Sequence, residues 1–181
     1  MEIWDIYDKD RIKTGETMIR GSKFKENAYH MVVHVCIFNS DGKMLIQQRQ
    51  PFKEGWSNLW DITVGGSAVS GDCSQSAAER EVLEEIGYKL NLKDKRPSLT
   101  INFEDGFDDF YLVEHDIDIN DLKLQYEEVQ KVMWADKNEI INMIDAGYFI
   151  PYYKSFIELL FDMKNFMGSH SERYYVKNDA N

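Results

Sequence analysis

The chain has 181 residues, 43% of them hydrophobic and 29% charged, with a formal net charge of −11 at pH 7. That length supports one domain with a substantial core rather than two, and no stretch approaches the roughly 20 consecutive apolar residues that a membrane span needs. The acidic balance argues against a nucleic-acid polymer as partner, because phosphate backbones are held by clustered Lys and Arg.

The sequence opens MEIWDIYDKD, with acids where a secretory leader would carry a basic and then an apolar region. A cytoplasmic location is the expectation. Residues 3–7 and 17–20 alternate around a polar turn containing Gly15 and predict a small N-terminal hairpin. Residues 30–39 are β-branched and aromatic, and Asn39-Ser40-Asp41-Gly42 supplies a turn before residues 43–49, so a second hairpin is expected there. Residues 59–64 read as a strand that stops at Gly65-Gly66. Residues 74–86 lack Gly and Pro, gather Ala77, Ala78, Val82 and Ile86 near one side, and meet a C-cap at Gly87. Further strands are predicted over 98–103, 107–114 and 129–135. Asp136 caps a helix to about Ala146, and Pro151 opens a last helix with an apolar stripe of Phe156, Leu159, Leu160 and Met163. From Gly168 onward the sequence is polar and aperiodic, which predicts a mobile tail over 168–181 after a domain of 1–167. Of the two cysteines, Cys36 sits in an apolar run and Cys73 in a polar turn, a pattern that predicts no disulfide. Mixed strands and about three helices favour a layered α/β or α+β domain.

Chemistry is concentrated in residues 66–88, GSAVSGDCSQSAAEREVLEEIGY. On a helix, Glu81, Glu84 and Glu85 stand at i, i+3 and i+4 and project from one face. Left alone such carboxylates repel, whereas magnesium binds through carboxylate oxygens, water and substrate phosphates. A metal held there would orient a diphosphate and make a bound water more acidic. The fork of Arg80 suits it to fix one of the carboxylates, and Gly65-Gly66 lets backbone come close to a ligand or metal. By spacing alone, a solvated surface helix explains these charges equally well.

The segment resembles the Nudix box: Gly, five residues, Glu, seven residues, Arg-Glu, an aliphatic, any residue, Glu-Glu, any residue, Gly and an apolar residue. Gly66, Arg80, Glu81, Val82, Glu84, Glu85 and Gly87 meet it, while Asp72 replaces the first Glu and Tyr88 the final aliphatic. The resemblance implies a Nudix α/β/α sandwich with a mixed sheet, beside which the N-terminal hairpin packs. It implies a Mg2+- or Mn2+-dependent hydrolase cutting a small organic diphosphate, such as a nucleoside diphosphate derivative, with a homodimer as an analogy only. Glu81, Glu84 and Glu85 would surround the metal, with the Gly65 backbone beside them. Glu81 would deprotonate water and Arg80 would position it, although in some members the base is a loop glutamate, here Glu127 or Glu128. Asp72 is one methylene shorter than the family's Glu, so its reach to Arg80 or a metal would need backbone adjustment or a bridging water. Tyr88 reads as a packing variant.

The wider stretch, with DIYDKD, RGSKF, YHMVVHVCIFNSDGKMLIQQR and LWDITVGG, resembles the Nudix branch related to isopentenyl-diphosphate isomerase. That isomerase needs a cysteine and, two residues later, a histidine before the box, where this chain has Gly65 and Ser67. Hydrolysis is therefore favoured over isomerisation and over a silent ligand-binding domain. His30 matches an isomerase metal ligand but, with its companions absent, reads with His34 as a strand residue. For substrate, Arg49 and Arg20 are candidate phosphate contacts, Asp72 is a further candidate contact, and Trp56 leads a set of aromatic residues (Trp60, Phe52, Tyr29, Tyr111) suited to stacking or to core packing.

Overall fold

At the N-terminus, β1 (Ile3–Tyr7) and β2 (Lys13–Ile19) form the expected antiparallel hairpin, with Ile3 opposite Ile19 and Tyr7 opposite Lys13. β2 starts earlier than expected and takes Gly15 into the strand; the turn is built instead on Asp8, whose Oδ1 accepts from the backbone N–H groups of Asp10 and Ile12. The structure is a computed structural model that describes residues 2–165 and 168–170. The predicted tail therefore lies, over 171–181, outside the described residues.

Seven further strands form one mixed sheet: β3 (His30–Phe38), β4 (Met44–Arg49), β5 (Trp60–Asp61), β6 (Val64–Ser67), β7 (Leu99–Phe103), β8 (Gly106–Glu114) and β9 (Val129–Ala135). The order is β5-β4-β3-β8-β7, with β6 against β3 and β9 against β4. Only β3 and β8 run parallel.

The β3–β4 hairpin departs from expectation in a way that makes the site. The two strands pair only at the turn, Phe38 opposite Met44, and then diverge. The segment that follows the long loop enters the gap: its first part, β5, pairs with β4, and its second, β6, pairs with β3. Thr63, between them, donates to the carbonyl of Leu45 and accepts from the N–H of Ile37, bridging the split. The single strand predicted over 59–64 is thus two strands. Gly65 and Gly66 do not end it; they lie inside β6, opposite His34 and Val33.

Helices cover both faces. Along β3 the alternation sends Val33, Val35 and Ile37 towards α1 (Ser74–Ile86), where Ala77, Ala78, Val82 and Ile86 are fully buried. Cys36 and Phe38 point the other way, to α2 (Lys137–Asp145) and α3 (Lys154–Met163), against Ile140, Ile157, Leu160 and Phe161. Each fully buried aliphatic side chain contributes about 1.5–3 kcal/mol relative to exposure. The result is the expected α/β/α arrangement with a mixed sheet.

The helix ends follow local chemistry. Cys73, expected in a turn, is the N-cap of α1, and Gly87 closes it at φ 68. Asp136 and Glu139 form a capping box on α2. Pro151 lies outside α3, which starts only at Lys154, and its buried stripe is Ile157, Leu160 and Phe161 whereas Leu159 is 42% exposed. Both cysteines are free thiols. Among the described residues no helix is long and apolar enough to cross a membrane.

A buried carboxylate fastens the hairpin to the sheet. Asp109 on β8 is fully buried and accepts from Arg11 Nη2 at 2.8 and 2.9 Å, from Thr100 at 2.6 Å and from Ser74 at 2.7 Å. Its neighbour Asp108 faces the opposite side, where its Oδ1 lies 3.1 Å from His34 Nε2.

Candidate active site

A cleft of about 870 Å3 opens where β3 and β4 part. α1 lends it Glu81, Glu84, Glu85 and Arg80; β6 lends Gly65, Gly66 and Ser67; β3 and β8 lend His34, Asp108 and Phe110. Arg49 and Asp61 come from β4 and β5, Lys53 and Trp56 from the loop between them, Glu128 from the loop before β9, and Glu2 and Arg20 from the ends of the hairpin. The cleft is therefore assembled from residues distant in sequence but fixed by the same split in the sheet.

Arg80 is the hub of the helix side. Its Nη2 donates to Asp72 Oδ2 at 3.0 Å and to the Ser67 carbonyl at 3.1 Å, and its Nη1 donates to Glu81 at 2.8 Å and to Glu84 at 3.2 Å. Asp72 also accepts from Arg80 Nε, from the Val69 N–H and from the Ser76 hydroxyl. The short side chain thus reaches Arg80 directly and no bridging water is needed. It sits behind Arg80 rather than among the residues that line the cleft.

Glu81 and Glu85 are held in two different ways. Glu81 lies over the bare α-carbon of Gly66, and burial raises its pKa even though Arg80 opposes the shift. Glu85 is only 6% exposed and accepts from Gln47 Nε2 at 2.9 Å. Burial pushes its carboxyl up to about 8, against the Gln47 hydrogen bond and with Glu81, Glu128 and Asp61 adding their repulsion. Glu84 is about half exposed.

Of the sequence-predicted site residues, Arg80, Glu81, Glu84, Glu85, Gly65, Glu128, Arg49, Arg20 and Trp56 line this one cleft, whereas Asp72, Phe52 and Tyr29 do not. Of the two loop glutamates Glu128 faces it and Glu127 does not. Trp56 is 54% exposed at φ 51, an unusual backbone for so bulky a side chain. Trp60 and Tyr111 are core residues. His30 stacks on Trp4 outside the cleft, while His34, read as a strand residue, is one that lines it. Tyr88 packs against the core with its hydroxyl 2.8 Å from His115 Nδ1.

Several cleft residues were not singled out in the sequence. Asp61, and Gln47 which holds Glu85 from behind the cleft lining, carry the clearest signal, polar side chains within apolar strand segments (LWDITV and KMLIQQR). Asp61 is 7% exposed and accepts from the Tyr152 hydroxyl at 2.9 Å; burial raises its pKa, opposed by the nearby His34. Lys53 and Asp108 lie in polar stretches where nothing marked them.

The donor set, carboxylates with no gathered thiols, suits a hard divalent cation. Two buried polar atoms beside it, Gln47 Oε1 and Arg49 Nε, have no hydrogen-bond partner among the described residues. Glu81 and Glu84 are drawn to Arg80, Glu85 to Gln47 and Glu128 to Lys53, and among the described residues no three acidic, His or Cys side chains already form a metal cage.

A family model for the NUDIX domain matches residues 28–156. An uncharacterised Nudix hydrolase of Listeria monocytogenes is 45% identical over 170 residues, covering 94% of this chain and 99% of that protein. The chain belongs to the Nudix family. This Nudix protein is also 34% identical to Nudix hydrolase 3 of Arabidopsis thaliana over 83% of its length, though that stretch is 22% of the plant protein. Similarity to isopentenyl-diphosphate Delta-isomerase of Shigella flexneri is more distant, 22% over 143 residues, covering 75% of this chain and 77% of that one. In fold it is similar to the crystal structure of a Deinococcus radiodurans protein, with a TM-score of 0.69, 22% identity, and coverage of 88% of this chain and 97% of that one. It is also similar to that of the MutT protein from Methanosarcina mazei, with a TM-score of 0.62, 23% identity, and coverage of 79% and 99%. The protein is thus an enzyme of the Nudix hydrolase class, which acts on phosphoanhydrides.

Proposed function

We propose that this Nudix protein hydrolyses the diphosphate linkage of a small organic diphosphate, foremost a nucleoside diphosphate derivative, by attack of water at phosphorus. One observation carries the reading: Glu81, Glu84, Glu85 and Glu128 share a single cleft of small-molecule size with the cations Arg20, Arg49, Lys53 and Arg80. We place the activity in one unit comprising the hairpin, sheet and three helices, in the cytoplasm, with no nucleic-acid polymer or membrane as partner; a homodimer rests on family analogy alone.

Glu81, Glu84 and Glu85, with the Gly65 backbone beside them, would hold Mg2+ or Mn2+. When bound, the cation neutralises phosphate oxygens and lowers the pKa of a bound water. Glu81 then takes the proton of the attacking water, its carboxylate aimed by Arg80; Glu128 is the alternative base. Arg80 is in turn held by Asp72, so Asp72 acts on geometry rather than on substrate. Arg49 grips phosphate oxygens, and Trp56 offers a ring face at the cleft mouth for a planar base.

The isomerase reading is disfavoured by space as well as by chemistry: a β-carbon at residue 65 would lie 2.6 Å from His34 Nδ1. The test is a panel of nucleoside diphosphate sugars, dinucleotides, oxidised nucleotides and isopentenyl diphosphate, assayed with Mg2+ and with EDTA. Metal-dependent hydrolysis of at least one compound is expected. Isomerisation of isopentenyl diphosphate without any hydrolysis, or binding without any product, would overturn the proposal.

A further inference from the structure

Two charged side chains of the cleft are bound to each other. Lys53 Nζ lies 2.6 Å from both Oε1 and Oε2 of Glu128, and the two side chains are 22% and 29% exposed. The ammonium donates to Oε1 and lies equally close to Oε2, so it neutralises the carboxylate. In this state Lys53 is turned to Glu128 rather than to a phosphate, and the charge that Glu128 could offer a cation or a proton is offset by the ammonium.

The pair closes over a frame that stands without it. The Gln50 N–H donates to the Glu128 carbonyl at 3.0 Å, Gln130 Nε2 donates to Asn58 Oδ1 at 3.1 Å, and the Phe52 and Tyr126 rings meet at 5.7 Å. The 50–58 and 125–130 segments are therefore joined by contacts other than the ion pair. Of the other cations of the cleft, Arg80 is held by Asp72, Glu81 and Glu84. Arg20 pairs with Glu2 at 2.6 Å, and Arg49 makes no ion pair among the described residues.

We propose that the Lys53–Glu128 pair is a latch that the substrate opens. An incoming diphosphate draws the Lys53 ammonium onto its oxygens and so releases Glu128 to the cation and its water; a cation that captures Glu128 in turn frees Lys53 for phosphate. Lys53 is then a positioning residue as well as an anion contact, and it prevents the full carboxylate set from assembling before phosphate arrives. The inference rests on the metal-dependent reading of the cleft. By linkage, the two ligands must strengthen each other's binding through this pair.

The experiment titrates Mn2+ alone and methylenediphosphonate alone, by calorimetry, into the parent and into Lys53→Met, Lys53→Gln, Glu128→Gln, Lys53→Met/Glu128→Gln and Arg49→Met. Lys53→Met and Lys53→Gln should bind Mn2+ about 5-fold tighter or more, and Glu128→Gln should bind methylenediphosphonate tighter by a similar factor. The Mn2+ gain should vanish in the Glu128→Gln background, and Arg49→Met should not reproduce it. A gain that persists without Glu128, or equals that of Arg49→Met, would show general electrostatics and overturn the latch, as would unchanged affinities in the single variants. A parent that binds neither probe would remove the metal-hydrolase reading itself and the latch with it.

Discussion

Glu81 occupies the space that a side chain on Gly66 would need: a β-carbon there would lie 2.5 Å from both carboxylate oxygens. The two residues come from β6 and α1 and meet only because glycine leaves the strand bare. Gly66→Ala should therefore displace the carboxylate without disturbing the sheet. We expect kcat to fall about 100-fold, the scale of an ångström-sized misplacement, with the circular dichroism spectrum unchanged. Parent-like turnover would show that Glu81 acts from another position.

Glu85→Gln separates catalysis from stability. The folded pKa of about 8 lies above the ordinary glutamate value of 4.5, so without metal the carboxyl favours folding fully below about 4.5. That contribution is lost as pH rises towards 8 and beyond, because the folded state must then carry a buried charge. The glutamine variant should lack this loss and melt higher than the metal-free parent at pH 8 but not at pH 5, while hydrolysing no substrate. Melting curves at both pH values, with EDTA, are the measurement, and equal shifts at pH 5 and 8 would count against the buried-charge account.

Arg80→Lys tests the fork. An ammonium is a single point and cannot serve Asp72, Glu81, Glu84 and the Ser67 carbonyl together. We expect kcat to drop about 100-fold with KM changed less than about threefold, since the group orients a reacting residue rather than binding substrate. A loss confined to KM would reassign Arg80 to substrate contact.

Asp5 supplies an acid-side test of the hairpin. Burial opposes its ionisation, but hydrogen bonds from Lys13, Ser70 and the Gly71 N–H outweigh this and hold it at about 2. The folded pKa lies below the unfolded value, so the stabilisation is present above about pH 4 and disappears as pH falls through 2. Allowing for partial exposure, Asp5→Asn should cost about 1–2 kcal/mol at pH 7 and much less near pH 2. Urea unfolding at the two pH values decides it.

The sequence was most informative where chemistry is local. The α1 boundaries, its Gly87 cap and the Asp136 cap are written in neighbouring residues and are found where expected. The turn of the β3–β4 hairpin is a local feature and legible, whereas the divergence of its strands depends on residues 60–67 entering between them. Gly65 and Gly66 read as a stop for the same reason: what they accommodate, His34 and Glu81, arrives from other elements. The box glutamates were legible through a fixed pattern. Lys53, Asp61 and Gln47 matter through what the fold places beside them, which no spacing along the chain reveals.

Asp108 and Asp109 stand side by side on β8 yet serve opposite faces of the sheet, one beside His34 in the cleft and the other gripped by Arg11, Thr100 and Ser74. Sliding β8 by a single residue along β3 would turn every side chain of the strand to the other face, so that Asp109 would leave Arg11, Thr100 and Ser74. The alignment at the centre of the molecule is thus tied to two polar contacts as well as to apolar packing: the register that seats Asp109 under the hairpin is the one that sets Asp108 beside His34 in the cleft.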